Sequence, residues 1–258
     1  MRKIKHYFMV FTEYLTKNLT DFTSFKFTTP TAIIFSAIII SVSIIGHGVI
    51  VKANESAAQV SMFNGRPVDK TDYIEGNPDS KVVVIEYSDP ECPYCVKLHP
   101  TTKELRDKYS DKVAFIYRHF PLISIHKNAL DESRAIACAG KIGGAKSFYE
   151  YIDMLYGNKF SKQDPKTGYV PPLPQDAKEL MAKSLGLDIG EFSLCMSNKE
   201  SENIVNDSIA GGAEAGVQGT PSTFVLVENK KGYEIVSMID GARDISFFEA
   251  AIEEALSR

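Results

Sequence analysis

Hydrophobic and polar positions divide the chain into an apolar N-terminal stretch and a longer body of alternating elements. Residues 27–51 carry no charged side chain. As a helix, residues 31–51 would be roughly 30 Å long, about the thickness of a bilayer core. Basic residues lie mostly ahead of this stretch, which predicts a cytoplasmic N-terminus and a body outside the cytoplasm.

The alternative for this stretch is a cleaved signal peptide, since Val51-Lys52-Ala53 resembles a cleavage site. The apolar stretch and the residues before it are long for a signal peptide, so we favour an uncleaved anchor. We predict a cytoplasmic tail at 1–26, a transmembrane anchor or uncleaved signal at 27–52, and a small polar linker at 53–65. Under either interpretation, anchor or cleaved signal peptide, the body of the chain is exported from the cytoplasm.

The body opens with signals of a strand, a helix and a strand. Residues 81–87 form a continuous apolar run between turn residues, which is typical of a strand at the centre of a sheet. A helix follows at once and continues towards Tyr109, and residues 113–117 form the next predicted strand. This succession predicts a parallel crossover unit.

Apolar positions at helical spacing dominate the middle of the chain. The predicted helices there lie near residues 129–140, 148–155, 177–185 and 200–215, and residues 157–175, rich in Lys, Pro and Gly, form a predicted exposed loop. Strands at 222–227 and 233–237 then pair as a hairpin, followed by a last helix near 248–255. The fold class is therefore α/β, a small sheet interrupted by an inserted helical subdomain.

Charge excludes one class of partner. The chain holds 29 Lys and Arg and 33 Asp and Glu; six of the basic and two of the acidic residues precede residue 53, so the rest carries a net charge of −8. An acidic body repels phosphate backbones, which argues against a nucleic-acid partner.

The chemistry that the sequence suggests lies in Cys92-Pro93-Tyr94-Cys95, where the first predicted strand gives way to a helix. Pro93 suits the first helical position, which places Cys92 at the N-cap. Unpaired backbone N–H groups and the helix dipole stabilise a thiolate there, so we expect a lowered pKa for Cys92. Cys92 is the predicted outer, attacking sulfur, and Cys95 resolves the mixed disulfide.

Two plainer interpretations of the motif are weaker. A C-x-x-C is half of a zinc site, but Cys138 and Cys195 stand apart and nothing completes the site. A structural bridge over so short a loop removes little chain entropy. We therefore predict a redox-active pair that needs no cofactor and no metal.

Residues 83–95 (Val-Val-Ile-Glu-Tyr-Ser-Asp-Pro-Glu-Cys-Pro-Tyr-Cys) and 216–225 (Gly-Val-Gln-Gly-Thr-Pro-Ser-Thr-Phe-Val) together resemble the thioredoxin-fold family of DsbA-type disulfide oxidoreductases. The resemblance covers residues 66–258 and implies a thioredoxin-like domain there, with its helical insertion at about 122–217. It also implies that Pro221, preceded by Thr220, is a cis-proline facing the sulfurs; the alternative is an ordinary trans proline.

Glu86 is a further candidate, because a carboxyl group in a buried central strand is costly without a role. In the family that the chain resembles, an acidic residue six positions before the first cysteine lies beneath the disulfide. We expect Glu86 to help move the proton of Cys95. A partly solvated strand-end Glu is the alternative.

The remaining cysteines, Cys138 and Cys195, are expected to form a structural disulfide in an exported protein, with two separate buried thiols as the alternative. Some members of the family that the chain resembles carry such a second bridge. His119 and His126 receive no catalytic role, because C-x-x-C chemistry needs no histidine.

The predicted function is an extra-cytoplasmic thiol–disulfide oxidoreductase that introduces disulfides into exported proteins with free thiols. The Pro-Tyr dipeptide leaves an isomerase or reductase open, while a linker too short for a dimerisation domain favours a monomeric oxidase. The resemblance implies a membrane reoxidant of the DsbB or VKOR kind. A thioredoxin-like chaperone or binding module and an exported metal-binding protein are the rival classes.

Overall fold

The computed structural model describes residues 61–258. The predicted tail, the predicted anchor and most of the predicted linker lie outside these residues. Within residues 61–258, no helix combines the length and the hydrophobicity that a membrane crossing requires.

The described residues build one mixed sheet in the order β1-β6-β5-β3-β4-β2. Its strands are β1 Ser61–Met62, β2 Ile74–Gly76, β3 Val82–Ser88, β4 Ala114–His119, β5 Ser222–Asn229 and β6 Gly232–Asp240. Strand β3 pairs in parallel with β4 and antiparallel with β5, and the other neighbours are antiparallel. The predicted central strand, parallel crossover and hairpin are confirmed.

Helices cover both faces of the sheet and form the insertion. They are α1 Pro93–Lys108, α2 Ala129–Lys162, α3 Gln175–Ser184, α4 Ile189–Ser197, α5 Lys199–Glu214 and α6 Ile245–Leu256. Helices α2 to α5 lie between β4 and β5, as the prediction of an inserted helical subdomain requires.

The alternation of side chains along β3 separates two apolar clusters. Val82 and Val84 pack with buried residues of α1 and α6. Val83, Ile85 and Tyr87 pack on the opposite face. Because both faces of β3 are covered, its sequence is a continuous apolar run rather than an alternating one.

A disulfide joins two helices of the insertion. Cys138 of α2 and Cys195 of α4 are bonded, with their Cα atoms 5.8 Å apart and 57 positions apart in the chain. The buried core of the insertion surrounds Cys138 and includes Phe148, Tyr151 and Phe192.

Three expectations about elements need correction. Residues 157–162 are not loop but the last turns of α2, and Val170 and Leu173 in the following loop are buried rather than exposed. Helix α4 was not predicted. Ser61 and Met62 lie in the predicted linker but pair with β6.

The physical reason for the first error is a buried ion pair. Lys159 and Glu132 are both fully buried on α2, with Nζ and Oε2 2.8 Å apart. Glu132 also accepts a hydrogen bond from the Leu173 N–H at 2.9 Å, and Lys159 donates to the Pro171 carbonyl at 3.3 Å. A lysine inside the core has the same hydrophilic signature in the sequence as a lysine in a loop.

Candidate active site

Cys92 occupies the position that the sequence predicts. It is the N-cap residue of α1 in extended conformation, with φ −70° and ψ 122°, and Pro93 follows within the first turn. The Cys92 N–H donates to the Asp89 carbonyl at 3.1 Å, which closes the turn between β3 and α1. The thiol therefore lies at the N-terminus of the helix, among N–H groups without intrahelical partners.

The surroundings of Cys92 lower its pKa to about 6. The largest contribution is a hydrogen bond from the Cys95 thiol; burial acts in the opposite direction, and the Thr220 side chain and the backbone N–H groups of Tyr94 and Cys95 add smaller lowering effects. The lowered pKa agrees with the sequence-based expectation. The helix N-terminus, which we expected to be the main cause of the lowered pKa, contributes less than the Cys95 thiol.

The loop before β5 supplies the opposite wall of the site. The Thr220–Pro221 peptide bond is cis, the isomer that the resemblance implies. The Cys92 thiol donates to the Thr220 carbonyl at 3.2 Å. This loop therefore brings a backbone acceptor to the reactive sulfur from a position 128 residues further along the chain.

Cys95 lies one turn into α1 and is more deeply buried than Cys92, with exposed fractions of 1% and 4%. Both thiols are reduced in this structure. Burial raises the pKa of Cys95 well above its ordinary value, and the hydrogen bond with Cys92 raises it further. The Asp89 N–H donates to the Cys95 sulfur at 3.4 Å. The two sulfurs are thus chemically distinct, because their surroundings lower the pKa of Cys92 and raise that of Cys95.

Asp89 is a structural residue of the site that the sequence analysis missed. Its fully buried carboxylate accepts hydrogen bonds from the N–H groups of Glu91 and Leu122, each at 2.7 Å. His126 Nδ1 lies 2.7 Å from the same carboxylate. The strand-to-helix turn is thereby fixed to the loop after β4. An Asp-Pro pair signals a turn in sequence, but its partners more than 30 residues away leave no local signal.

Glu86 lies on the face of β3 that packs under α1. It is half-buried and lines a small, partly open cavity of about 20 Å³ together with Thr102, Arg106 and Tyr117, among others. Burial raises the pKa of Glu86, while hydrogen bonds with Ser88 and Thr102 and the charge of Arg106 act against that rise. The cavity is large enough for about one water molecule.

A buried cluster of hydroxyl groups adjoins Cys95 and was also missed. The Ser88 hydroxyl lies 3.0 Å from the Tyr156 hydroxyl, which lies 3.1 Å from the Tyr117 hydroxyl. Ser88 and Tyr117 come from neighbouring strands, and Tyr156 comes from α2. A sequence pattern cannot reveal this cluster, because its members are 29, 39 and 68 positions apart.

His119 and His126, the two histidines considered in the sequence analysis, are both held in place by neighbouring side chains. Burial lowers the pKa of His119 to about 3, and its ring packs edge-on against Tyr117 and Phe148. His126 is held by Asp89. Across residues 61–258, no group of three or more His, Cys, Asp or Glu side chains is arranged to hold a metal ion.

The rim of the site is apolar and exposed. Tyr94, between the cysteines, is 62% exposed, and Ile123, Ile125 and Tyr169 are exposed in adjacent loops. The loop that carries Tyr169 reaches the motif, since the Gln163 side-chain amide donates to the Pro93 carbonyl at 3.2 Å.

Comparison with known proteins identifies the family of the chain and finds solved structures with a similar fold. A family model described as Thioredoxin matches residues 68–253. A putative protein-disulfide oxidoreductase of Rickettsia bellii is 31% identical over 195 residues, covering 74% of this chain and 68% of that protein. The crystal structure of the thiol-disulfide exchange protein alpha-DsbA2 from Wolbachia pipientis has a TM-score of 0.58 at 19% identity, covering 72% of this chain and 88% of the other.

A second kind of relative is much longer. An Na(+)/H(+) antiporter NhaA 1 of Mycobacterium sp. (strain KMS) is 31% identical over 178 residues, which cover 67% of this chain and 27% of the antiporter. The match thus spans about a quarter of the antiporter. Together with the match to the family model over most of residues 61–258, the geometry of Cys92 and Cys95 shows that the chain belongs to the thioredoxin family.

Proposed function

We propose that the protein is a thiol–disulfide oxidoreductase that works through Cys92 and Cys95. The observation that carries the proposal is the contrast between the two sulfurs: the pKa of Cys92 is lowered to about 6, whereas that of Cys95 is raised well above its ordinary value. A thiolate is the nucleophile and the better leaving group in disulfide exchange. The position of Cys92 at the helix N-terminus supports the same assignment.

In the oxidising direction, a substrate thiolate attacks the Cys92 sulfur of the Cys92–Cys95 disulfide. The S–S bond breaks, Cys95 leaves with the electron pair and takes up a proton. A second substrate thiolate then attacks the substrate sulfur of the mixed disulfide, and Cys92 leaves as a thiolate. The substrate loses two electrons, and the cysteine pair gains them.

The lowered pKa of Cys92 favours oxidation of substrates over reduction. At pH 7 a thiol with a pKa of about 6 is mostly ionised. Relative to an ordinary thiol, this ionisation stabilises the reduced form by about 1.4 kcal/mol, or about 30 mV in the two-electron potential. An isomerase or reductase of the same fold is the alternative, because the Pro-Tyr dipeptide is compatible with each.

The location and partners of the enzyme are part of the proposal. The uncharged stretch at residues 27–51 supports a single membrane anchor, with the N-terminus in the cytoplasm and the catalytic domain in the periplasm or outside the cell. Its substrates are exported proteins with free thiols, and a membrane protein of the DsbB or VKOR kind reoxidises it. The exposed apolar rim around Tyr94 suits unfolded polypeptide chains. We propose a monomer.

Two measurements on the full chain in detergent test the proposal. The first is the reduction potential of the pair, equilibrated with glutathione. We expect a value between those of thioredoxin, about −270 mV, and DsbA, about −120 mV. A value at or below that of thioredoxin overturns the oxidase assignment.

The second measurement is covalent trapping. A Cys95→Ala variant should accumulate mixed disulfides on Cys92 when mixed with a reduced, unfolded secretory protein and an oxidant. Cys92→Ala is the matched control and should trap nothing. If Cys95→Ala forms no adduct either, the chaperone or binding-module alternative is favoured.

A further inference from the structure

The cluster of hydroxyl groups beneath Cys95 has the geometry of a proton-transfer device. We infer that Ser88 passes the proton between Cys95 and Glu86, and that Tyr156, itself held by Tyr117, is a positioning residue that fixes the Ser88 hydroxyl. The inference rests on the proposed function and names residues that the cysteine motif does not include.

Position and burial place Ser88 between the two groups. Ser88 follows Glu86 by two residues on β3, so the two side chains leave the same face of the strand. The next residue, Asp89, donates its N–H to the Cys95 sulfur at 3.4 Å. Ser88 is fully buried, and its oxygen lies 3.0 Å from the Tyr156 hydroxyl.

The electrostatics of the site link the Ser88 hydroxyl to both groups. Burial raises the pKa of Cys95 and of Glu86, and in each case a hydrogen bond with Ser88 acts against that rise. A hydroxyl that donates to either anion can follow the charge from one to the other. Ser88 is the hydroxyl that the main contributions to the two pKa values have in common.

The hydrogen-bonding capacity of Ser88 fits both protonation states of Cys95. A serine hydroxyl has one donor and two acceptor positions. In the mixed disulfide, the Cys92 sulfur is bonded to substrate and is no longer a thiolate acceptor for the Cys95 thiol. Ser88 then accepts from Cys95 and from Tyr156 and donates to the Glu86 carboxylate. With Cys95 as a thiolate, Ser88 donates to Cys95 and accepts from Tyr156 and from protonated Glu86. The Tyr156 hydrogen bond is the same in both states, so it holds the Ser88 oxygen in place while the proton moves.

The other titratable groups around Cys95 are unsuited to accept its proton. Burial raises the pKa of Tyr117 and of Tyr156 well above the ordinary value, so both phenols keep their protons. The Asp89 carboxylate is occupied by two backbone N–H groups and His126. His99 Nε2 faces Asp153 at 3.2 Å, its ring stacks on that of Tyr156, and it is not among the groups that hydrogen-bond Cys95. Among the described residues that face Cys95, and with Cys92 engaged as the attacked sulfur, Glu86 is the acceptor that remains.

In a mixed disulfide of Cys92 with a thiol R–SH, the Cys95 sulfur attacks the Cys92 sulfur, a Cys92–Cys95 bond forms, and R–S⁻ leaves with the electron pair. The Cys95 proton goes to Ser88, whose own proton goes to Glu86. The Cys95 sulfur is oxidised and the R sulfur is reduced. In the oxidising direction the same path returns a proton to Cys95.

A two-phase reaction with a coloured aromatic disulfide tests the inference on the full chain in detergent. When the reduced protein reacts with excess bis-thionitrobenzoate disulfide, the first thionitrobenzoate release reports attack by Cys92 and the second reports resolution by Cys95. For Ser88→Ala we expect the second phase to slow by about tenfold to a hundredfold near neutral pH. The first phase should be unchanged.

The dependence of the second phase on pH separates proton transfer from a structural effect. In Ser88→Ala, Cys95 must lose its proton to solvent, so the rate should rise about tenfold for each pH unit, more steeply than in the natural protein. Ser88→Thr, which keeps a hydroxyl group, should restore most of the rate.

Tyr156→Phe keeps the ring and removes only the hydroxyl group, and it should also slow the second phase. Tyr151→Phe is the matched control, because Tyr151 is equally buried on the same helix and donates to the Lys178 carbonyl at 3.1 Å, away from Cys95. If Ser88→Ala resolves at the natural rate and with the natural pH profile, or if Tyr156→Phe behaves like Tyr151→Phe, the inference is wrong. Loss of both phases in the natural protein would instead refute the proposed function.

Discussion

Replacing Cys95 separates the two kinds of contact that lower the pKa of Cys92. In the structure the Cys95 thiol contributes most, and the Thr220 side chain and two backbone N–H groups contribute less. Cys95→Ala removes the first contribution and leaves the others in place. Cys95→Ser keeps a donor of similar size and is the matched control.

The expected magnitude follows from the strength of the lost hydrogen bond. A hydrogen bond to a charged group contributes about 1.5–3 kcal/mol, which corresponds to roughly one to two pH units. The pKa of Cys92 should therefore rise from about 6 to between about 7 and 8 in Cys95→Ala. It should not reach its ordinary value, because the helix N-terminus still stabilises the thiolate.

The sign of the associated stability change is fixed by linkage. A lowered pKa in the folded state stabilises the reduced protein at pH values above the ordinary thiol pKa, and this stabilisation is lost as the pH falls through about 6. At pH 7 it amounts to about 1.4 kcal/mol in the natural protein. In Cys95→Ala about 1 kcal/mol of this should disappear.

Thiolate absorbance at 240 nm, recorded between pH 4 and pH 10, measures the pKa directly, after Cys138 and Cys195 are verified to be disulfide-bonded. Cys95→Ala then contains one free thiol. A midpoint at or below about 6 in this variant would refute the reasoning, since the helix N-terminus would then suffice. A midpoint above about 8.5 would show that the backbone N–H groups add nothing.

Two further predictions concern the helical insertion. Replacing Cys138 and Cys195 together by Ala opens a loop of 57 positions and should lower the free energy of unfolding by about 4 kcal/mol, measured in urea; a loss below about 1 kcal/mol would contradict the entropic argument. Lys159→Met leaves Glu132 buried without its partner and should cost about 3–5 kcal/mol by the same assay. Adding Glu132→Leu should recover most of that loss, and a double variant no more stable than the single one would show that the uncompensated charge is not the cause.

Much of the site was predictable because its signals are local. The apolar run of β3 and Pro93 after Cys92 fix a strand, a turn and a helix start within 15 residues. These features place a thiol at a helix N-terminus whatever the rest of the chain does. The cis isomer at Thr220–Pro221 was implied only by resemblance, since cis is the rare isomer of X–Pro bonds and no sequence pattern specifies it.

The errors and omissions share one cause, which is contact between distant segments. The last turns of α2 fall in residues 157–175, which the sequence predicts as a loop because they are rich in Lys, Pro and Gly. Yet one of these lysines, Lys159, is paired in the core with Glu132, 27 positions earlier. No sequence pattern indicated the roles of Asp89 and Ser88, because their hydrogen-bond partners come from the loop after β4 and from α2. Polar residues inside a core are defined by partners, and a sequence pattern does not show partners.

The sequence by itself determined where the two proposed reacting sulfurs lie. The spacing of two cysteines across one helical turn, directly after a buried strand, predicts the attacking and resolving sulfurs, because backbone geometry over a few residues fixes their places. The tertiary structure decided how each sulfur holds its proton. That property depends on burial and on the hydrogen bonds of the two thiols with each other, with Thr220 and with Ser88, whose hydroxyl Tyr156 contacts from the insertion. Packing of distant segments, which no local pattern shows, creates this environment.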